Sequence, residues 1–335
     1  MVYIYVKRVG GKKYYYLRMS KRVNGKIVVK DVAYLGDDLS KMEQTIDALE
    51  KKYKDQIRKS YKTLKRFLDS NIYLEKIKKM KIKSIPYLEA DELEQVEALR
   101  LHFNNHFLKL DRETIRDTYK NFLVEFAYNT TSIEGNTITL REANKLLRED
   151  LTPEERSPRE IFDLQNTQKV FFQLIENDID LSHDLIIDIH DKLMENIDAR
   201  MRYRTHDIRV FKSHFDASPA KYVKTDMDIL IKWYNQHRGK IHPLALAGMF
   251  HQKFEKIHPF SDGNGRTGRM LMVYMLIKEG FPPIIVQKKN RVEYLRVLAI
   301  ADRSSPSGIE PEHFKGLIKY FASEYLESYW NTFNV

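Results

Sequence analysis

The 335-residue chain contains no cysteine. That absence excludes disulfides, thiolate nucleophiles and cysteine-ligated zinc together. Long apolar runs are missing as well. The longest, residues 270–277, falls far short of the roughly 20 residues that cross a membrane as a helix. Tyr3, Lys7 and Arg8 interrupt the first residues, and no apolar segment of a secretory signal follows them. A cytoplasmic location with no membrane partner is therefore expected. Three common signatures are absent too: the Gly-x-x-x-x-Gly-Lys-[Ser/Thr] phosphate loop, the Gly-x-Ser-x-Gly elbow and the His-Glu-x-x-His zinc pair.

Hydrophobic residues make up 42% of the chain and charged residues 31%, a composition that builds a packed core rather than a disordered chain. The charge is unevenly spread. Residues 1–90 hold 23 Lys and Arg against 10 Asp and Glu, whereas residues 91–335 hold 34 against 37. The net charge of +10 thus originates in the first quarter of the chain. Such a patch attracts nucleic acid, an acidic protein surface or a membrane. A solvated, lysine-rich face is the equally weighted alternative.

Three segments rich in β-formers open the chain: Val2 to Val6, Tyr14 to Leu17, and Ile27 to Leu35. Gly10-Gly11 and Asn24-Gly25 separate them, and Asn-Gly favours a two-residue hairpin because both turn positions need positive φ. A small antiparallel meander over residues 1–38 is predicted. Residues 39–84 read as one basic helix whose apolar positions, Ile46, Leu49, Tyr53, Ile57, Tyr61, Leu64 and Leu68, step by three and four. A second helical stretch spans Glu89 to Leu110, so that residues 39–110 form a basic helical segment. From 111 onward the chain reads as consecutive helices. Ser182 is a predicted N-cap, residues 200–223 lack helical period, and Pro243 starts a helix that runs to Ile257.

That helix leads into His258-Pro259-Phe260-Ser261-Asp262-Gly263-Asn264-Gly265-Arg266-Thr267-Gly268-Arg269, followed by a predicted helix from Met270 to Lys278. A glycine-containing loop that empties into a helix N-terminus is an anion site, because unpaired N–H groups and the helix dipole both favour negative charge there. Gly263 and Gly265 allow close approach of phosphate oxygens. Asn264 can donate from its amide, and Arg266 and Arg269 can clamp phosphates. Asp262 is a hard oxygen ligand suited to Mg²⁺ held between carboxylate and phosphates. His258 has the pKa range of a general base. A capped helix end would explain any one of these residues alone. His251 and His190 read as buried histidines rather than ligands.

The run from His258 to Arg269 resembles the signature of the Fic family, HPFx[D/E]GNGRxxR, at every position. The resemblance extends over about residues 111–335. It implies a mainly α protein: an all-α Fic core with a β-hairpin flap, which Tyr203-Arg204 through Val223 would supply, preceded by the β meander and the basic helices. It implies transfer of AMP from ATP, with Mg²⁺, to a Ser, Thr or Tyr hydroxyl of a protein. By position, His258 is the base, Asp262 the metal ligand, Gly263, Asn264 and Gly265 the anion hole, and Arg266 and Arg269 the phosphate clamps. Asn264-Gly265-Arg266 fits AMP transfer better than the Asn-Lys-Arg variant of related kinases.

Upstream, Thr130-Thr131-Ser132-Ile133-Glu134-Gly135-Asn136 resembles the family's inhibitory motif. Glu134 beside Arg269 would occupy the guanidinium that a γ-phosphate needs. The same motif occurs in relatives that also remove AMP, with the glutamate aligning water, so a de-AMPylating enzyme is the alternative. At two positions where those relatives place a tyrosine and an asparagine near the adenine, this chain has Leu295 and Asp302, which leaves base preference open; Tyr294 and Arg291 lie nearby. A third reading is a nucleic-acid-binding regulator with a vestigial Fic core. The expected partners are a protein substrate, the chain itself included, nucleic acid or an acidic partner at residues 1–90, and a second copy in a homodimer.

Overall fold

The computed structural model describes residues 2–49, 51–177, 179–209 and 216–335. Three strands, β1 (Val2–Val9), β2 (Lys12–Val23) and β3 (Lys26–Gly36), form an antiparallel sheet in sequence order. Period-two alternation sends Val2, Ile4, Tyr15, Leu17 and Leu35 inward, while Tyr5, Tyr16, Tyr34 and Arg18 share the other face. There Arg18 lies 3.3 Å over the Tyr5 ring and the Tyr16 and Tyr34 rings are 5.2 Å apart. The turns form where the glycines and Asn24 supply positive φ.

The segment expected as one helix is divided. α1 (Met42–Asp47), α2 (Lys51–Lys59) and α3 (Tyr61–Met80) follow one another. The break between α2 and α3 falls at Ser60, whose buried hydroxyl accepts the Val2 N–H at 3.1 Å. The helix is interrupted where a side chain ties it to the backbone of the sheet. The inward face of the sheet packs on Leu39, Met42, Ile46, Leu64 and Leu68, a core of its own. Tyr61, expected in the buried stripe, is exposed at the first position of α3.

α4 (Ala90–Asn105) and a short 3₁₀ turn occupy the second helical stretch. Then come α5 (Arg112–Ile133), α6 (Leu140–Glu149), α7 (Pro158–Glu176), α8 (His183–Leu193), α9 (Val223–His237), α10 (Pro243–Ile257), α11 (Asn264–Lys278), α12 (Arg291–Ala301) and α13 (Pro311–Thr332). Their starts follow from local chemistry. Thr139 with Glu142 and Ser157 with Glu160 form capping boxes at α6 and α7. Ser182 caps α8 by accepting the Leu185 N–H, as its position predicts. α11 begins six residues earlier than expected, because Gly263 at φ 77 serves as its N-cap and Gly265 and Gly268 lie inside the helix. The large core gathers α4, α5 and α7–α13 around the almost fully buried α10 and α11. A smaller cluster, including Val124, Ala127, Ala143, Leu146 and Leu164, seats α5, α6 and α7 against one another.

The flap expected at 203–223 is anchored at both ends. Residues 204–209 and 216–219 contain no strand among the described residues, and residues 210–215, where the β-like run continued, lie outside them.

Gly248 shows how tightly α10 is packed. A Cβ there would meet Ile318 Cδ1 and Phe321 Cδ2, both at 2.9 Å. Helix propensity alone would make Gly248→Ala stabilising by about 1 kcal/mol, but overpacking costs about 1–3 kcal/mol. The expected outcome is a net loss near 1 kcal/mol, read as a lower urea midpoint with unchanged slope.

Candidate functional site

α10 and α11 are joined by a tight loop bounded by two left-handed residues, His258 at φ 53 and Gly263 at φ 77. A histidine in that region is uncommon and is held there by its surroundings. Arg204, almost fully buried, donates from Nε to the His258 carbonyl at 2.8 Å. Its other nitrogens donate to the His206 and Ser218 carbonyls on the two sides of residues 210–215. The Arg204 N–H also donates to the Pro259 carbonyl at 3.0 Å. One guanidinium therefore fastens the loop between α10 and α11 to the root of the flanking segment.

Phe260 pins the centre of the loop. It is fully buried and stacks on the His190 ring with centroids 3.6 Å apart. His190 Nδ1 faces Asp191 at 2.9 Å and Nε2 faces the Asp262 carbonyl at 3.1 Å. The buried-histidine reading of His190 holds, and the residue also braces the loop from below. His251 is likewise fully buried, with Nε2 2.5 Å from the Tyr294 hydroxyl. Burial pulls its pKa down to about 3, so it is neutral.

The structure brings the expected site residues together around one cleft of about 1000 Å³. His258, Asp262, Gly263, Asn264, Gly265, Arg266, Arg269 and Glu134 all line it. His258 Nδ1 lies 3.2 Å from the Glu255 carbonyl. A carbonyl only accepts, so Nδ1 carries the proton and Nε2 keeps its lone pair. Burial lowers the His258 pKa, with Arg204 acting in the same direction.

Asn264 differs from its expected use. Its side chain is buried, its Oδ1 accepts the Phe260 N–H at 2.9 Å, and its amide donates to the Phe260 carbonyl at 2.8 Å. The amide closes the loop on itself, and the first-turn backbone N–H groups of α11 are the donors of this turn that have no intrahelical partner.

The two arginines diverge. Arg266 reaches Asp163 on α7, and its Nη2 lies 3.2 Å from Asp262 Oδ1. Arg269, 2% exposed, donates from Nε to Thr130 Oγ1 at 2.8 Å, and from Nη2 to the Thr130 carbonyl at 2.9 Å and to Glu134 Oε1 at 2.7 Å. The Glu134 carboxylate lies directly over α11: a Cβ on Gly265 would sit 2.1 Å from Glu134 Oε1. Glycine is required at 265 for this close approach. Gly268 does the same one turn on, where a Cβ would meet Glu255 Oε1 at 2.7 Å and His251 Nδ1 at 2.8 Å.

Glu134 sits at the C-cap of α5, where Gly135 turns the chain at φ 107. The next residue secures that turn. Asn136 Nδ2 donates to the Glu160 carbonyl at 3.0 Å and approaches Asp163 Oδ2 at 3.4 Å. Asp163 thus touches both the segment that carries Glu134 and Arg266 of the anion loop. Burial raises its pKa while Arg266 lowers it. Sequence reasoning missed Asp163, Arg159 and Glu255. The available signal was polar residues on otherwise apolar helix faces. Glu255, on α10 beneath the cleft, has an Oε1 with no hydrogen-bond partner. Burial pushes its carboxyl up to about 8, so it is protonated at neutral pH.

Among the described residues no cluster of three or more acidic or histidine side chains can hold a metal by itself. Asp262 nevertheless fits Mg²⁺ as a single carboxylate, since that ion takes its remaining ligands from phosphates and water. In this structure Asp262 Oδ2 pairs with Arg159, and Oδ1 accepts from the Gly263 N–H at 2.5 Å. At the far end of the cleft Leu295 is exposed, and Asp302 accepts from Gln252 Nε2 at 2.8 Å.

Asn264→Ala would leave the buried N–H and carbonyl of Phe260 without partners. The expected cost is about 2–4 kcal/mol, measured by chemical denaturation. Asn264→Asp, which keeps the acceptor, is expected to lose less.

Residues 180–276 match the model of the Fic/DOC family. The chain is 31% identical over 218 residues to protein adenylyltransferase fic-1 of Caenorhabditis elegans, covering 63% of this chain and 42% of that protein. It is 29% identical over 198 residues to protein adenylyltransferase Fic of Drosophila melanogaster, covering 56% and 39%. The chain thus spans about two fifths of the length of these curated relatives. A solved structure of Fic-1 from C. elegans superposes with a TM-score of 0.58 at 26% identity, over 72% of this chain and 71% of that one. A Fic-domain signaling protein from Bacteroides thetaiotaomicron shares the fold, with a TM-score of 0.63 at 22% identity over 70% and 93%.

Proposed function

The chain belongs to the Fic/DOC family through its residues 180–276, and from that membership we propose that it is a protein adenylyltransferase held at rest by Glu134. It moves AMP from ATP to a Ser, Thr or Tyr hydroxyl of a protein. The observation that carries this reading is that a neutral imidazole with a free Nε2 opens onto the same cleft as the bare N-terminus of α11. Naming of the matched relatives as protein adenylyltransferases supports it.

The incoming hydroxyl gives its proton to His258 Nε2, and its oxygen attacks the α-phosphorus. A phosphoester bond forms, the bond to the β-phosphate oxygen breaks, and pyrophosphate leaves. First-turn N–H groups of α11 hold the anionic oxygens, and Arg269 receives the γ-phosphate. Mg²⁺, held by Asp262 and the phosphates, would neutralise the charge that collects on the leaving group. Arg266, already committed to Asp163 and Asp262, shapes the loop and adds positive potential to it.

Glu134 opposes this chemistry in two ways. It accepts the Arg269 Nη2 hydrogen bond that the γ-phosphate would use, and it sets a negative charge over Gly265, where the phosphates would lie. The carboxylate is partly open to the cleft, with its side chain 40% exposed. That exposure supports the second reading, in which Glu134 aligns water for removal of AMP. The assembled geometry speaks against a vestigial core.

Three forms of the protein, incubated with radiolabelled ATP and Mg²⁺, separate these readings. Glu134→Gly is expected to raise self-labelling at least tenfold. His258→Ala is expected to lower it by about 10²–10⁴-fold, the usual contribution of a general base. Equal labelling in all three forms would sink the proposal. Release of AMP from a modified protein by wild type, lost in Glu134→Gly, would favour the removal reaction instead.

The pH profile tests the base independently. An ordinary imidazole titrates near 6.5, and burial moves His258 below that. Because the neutral form is active, kcat/KM of Glu134→Gly should stay level from pH 8 to 6.5 and fall only at lower pH. An acid limb centred above 6.5 that His258→Ala does not remove would overturn the assignment.

A further inference from the structure

The sheet at the N-terminus is three strands wide over only part of its length. β1 pairs with β2 as far as Val2↔Met19. Beyond that point β2 and β3 continue alone, paired as Lys21↔Val28, Arg22↔Ile27 and Val23↔Lys26 and closed by Asn24-Gly25. Every residue from Lys21 to Asp31 is exposed. An arm of two strands with both faces open to solvent is marginally stable by itself, and this one carries side chains unsuited to water. Ile27 is 73% exposed, Val28 52%, Val23 50% and Val29 47%.

The charges on the arm are of one sign. Lys21, Arg22, Lys26 and Lys30 lie along it, and Asp31 at its root is paired with Arg18 at 2.5 Å. Cross-strand partners share a face, so Arg22, Ile27 and Val29 fall on one side and Lys21, Val23, Lys26 and Val28 on the other. Each side therefore mixes cations with branched apolar groups. A purely apolar partner would bury the valines but strand the cations. An acidic protein surface would pair the cations and leave the valines without a matching groove.

We propose that residues 21–30 form a two-stranded ribbon that enters the major groove of duplex DNA. The groove, about 12 Å wide and 8.5 Å deep, admits a two-stranded β-ribbon. Three residue steps from Lys21 to the turn, at about 3.4 Å each, reach its floor. The cations meet the flanking phosphates, while Ile27 and the valines face base edges and thymine methyl groups. The surface behind the arm adds steering: residues 1–90 hold 23 Lys and Arg against 10 Asp and Glu, and Lys54, Arg58, Lys59 and Lys62 are exposed on α2 and α3. Duplex RNA is excluded as the partner, because its major groove is too narrow for side chains to read.

The test uses the full chain and fluorescence anisotropy with a labelled 20-base-pair DNA duplex between 50 and 200 mM salt. Binding is expected to weaken roughly 100-fold over that range if four phosphates are neutralised. Replacing Lys21, Arg22, Lys26 and Lys30 together by Gln should lower affinity at least tenfold and remove most of the salt dependence. The same replacement at Lys54, Arg58, Lys59 and Lys62 should cost less. Because all eight side chains are exposed, circular dichroism should show an unchanged fold. No binding to DNA would overturn the proposal and leave the arm lysines as guards against edge-to-edge aggregation. Equal binding of duplex RNA or of phosphatidylserine vesicles, or equal losses from the two sets of substitutions, would overturn it as well. The adenylyltransferase reading stands or falls separately, since none of these residues lines the cleft.

Discussion

The buried guanidinium of Arg269 is the constraint around which the cleft is organised. A charge that is 2% exposed persists only if it is paired and hydrogen-bonded. α5 supplies both requirements from one turn, through Thr130 and Glu134. Helices α5 and α11 are therefore joined across the cleft by an interaction that neither can drop without leaving the charge exposed to an apolar interior. In the proposed reaction a triphosphate would offer Arg269 an anion with the same hydrogen-bonding power. On the proposed function the pair would hold at rest and exchange for the ligand, for the same electrostatic reason.

Several other features serve to hold this contact in register. Gly265 and Gly268 give up helix propensity so that Glu134 and Glu255 can approach α11 closely. Asn136 binds the turn after Glu134 to α7, and Asp163 on α7 reaches back to Arg266. The small apolar cluster under α5, α6 and α7 fixes the direction from which Glu134 enters. Below the cleft lie a protonated Glu255 and a neutral His251, two groups whose charges burial has removed. The floor is thus low in charge and the rim is rich in it, an arrangement that strengthens every electrostatic contact made inside.

The N-terminal lobe follows a different economy. Its core is small, its sheet leans on α1 and α3, and its surface is dominated by cations. It meets the large core through Tyr73 of α3, whose ring lies edge-on to His102, and through polar contacts such as Arg66 with Asn331, 2.6 Å apart, and Lys65 with the Val335 carbonyl at 2.8 Å. The arm takes no part in the lobe's own core, and its apolar side chains stand open to solvent.

Much of this molecule was legible in the residues alone. The run from His258 to Arg269 was legible as one unit lining one cleft because its residues are local: glycines, a loop and a helix start lie within one short segment. The meander was legible for the same reason, since Asn24-Gly25 and period-two alternation act over a few residues. The division of the basic helix was not, because Ser60 breaks it through a bond to Val2, 58 residues away. Neither was the true start of α11, where glycines that read as loop are helical because tertiary neighbours press against them. Asn264 was assigned to phosphate and instead closes its own loop. Arg159, Asp163 and Glu255 were missed because only their polarity on otherwise apolar helix faces marks them, and the partners of Arg159 and Asp163 lie far along the chain. By itself the sequence determined which groups could do chemistry, because identity and close spacing are written along the chain. Only the tertiary structure decided which of them face one another, because burial and long-range pairing are properties of the packed core.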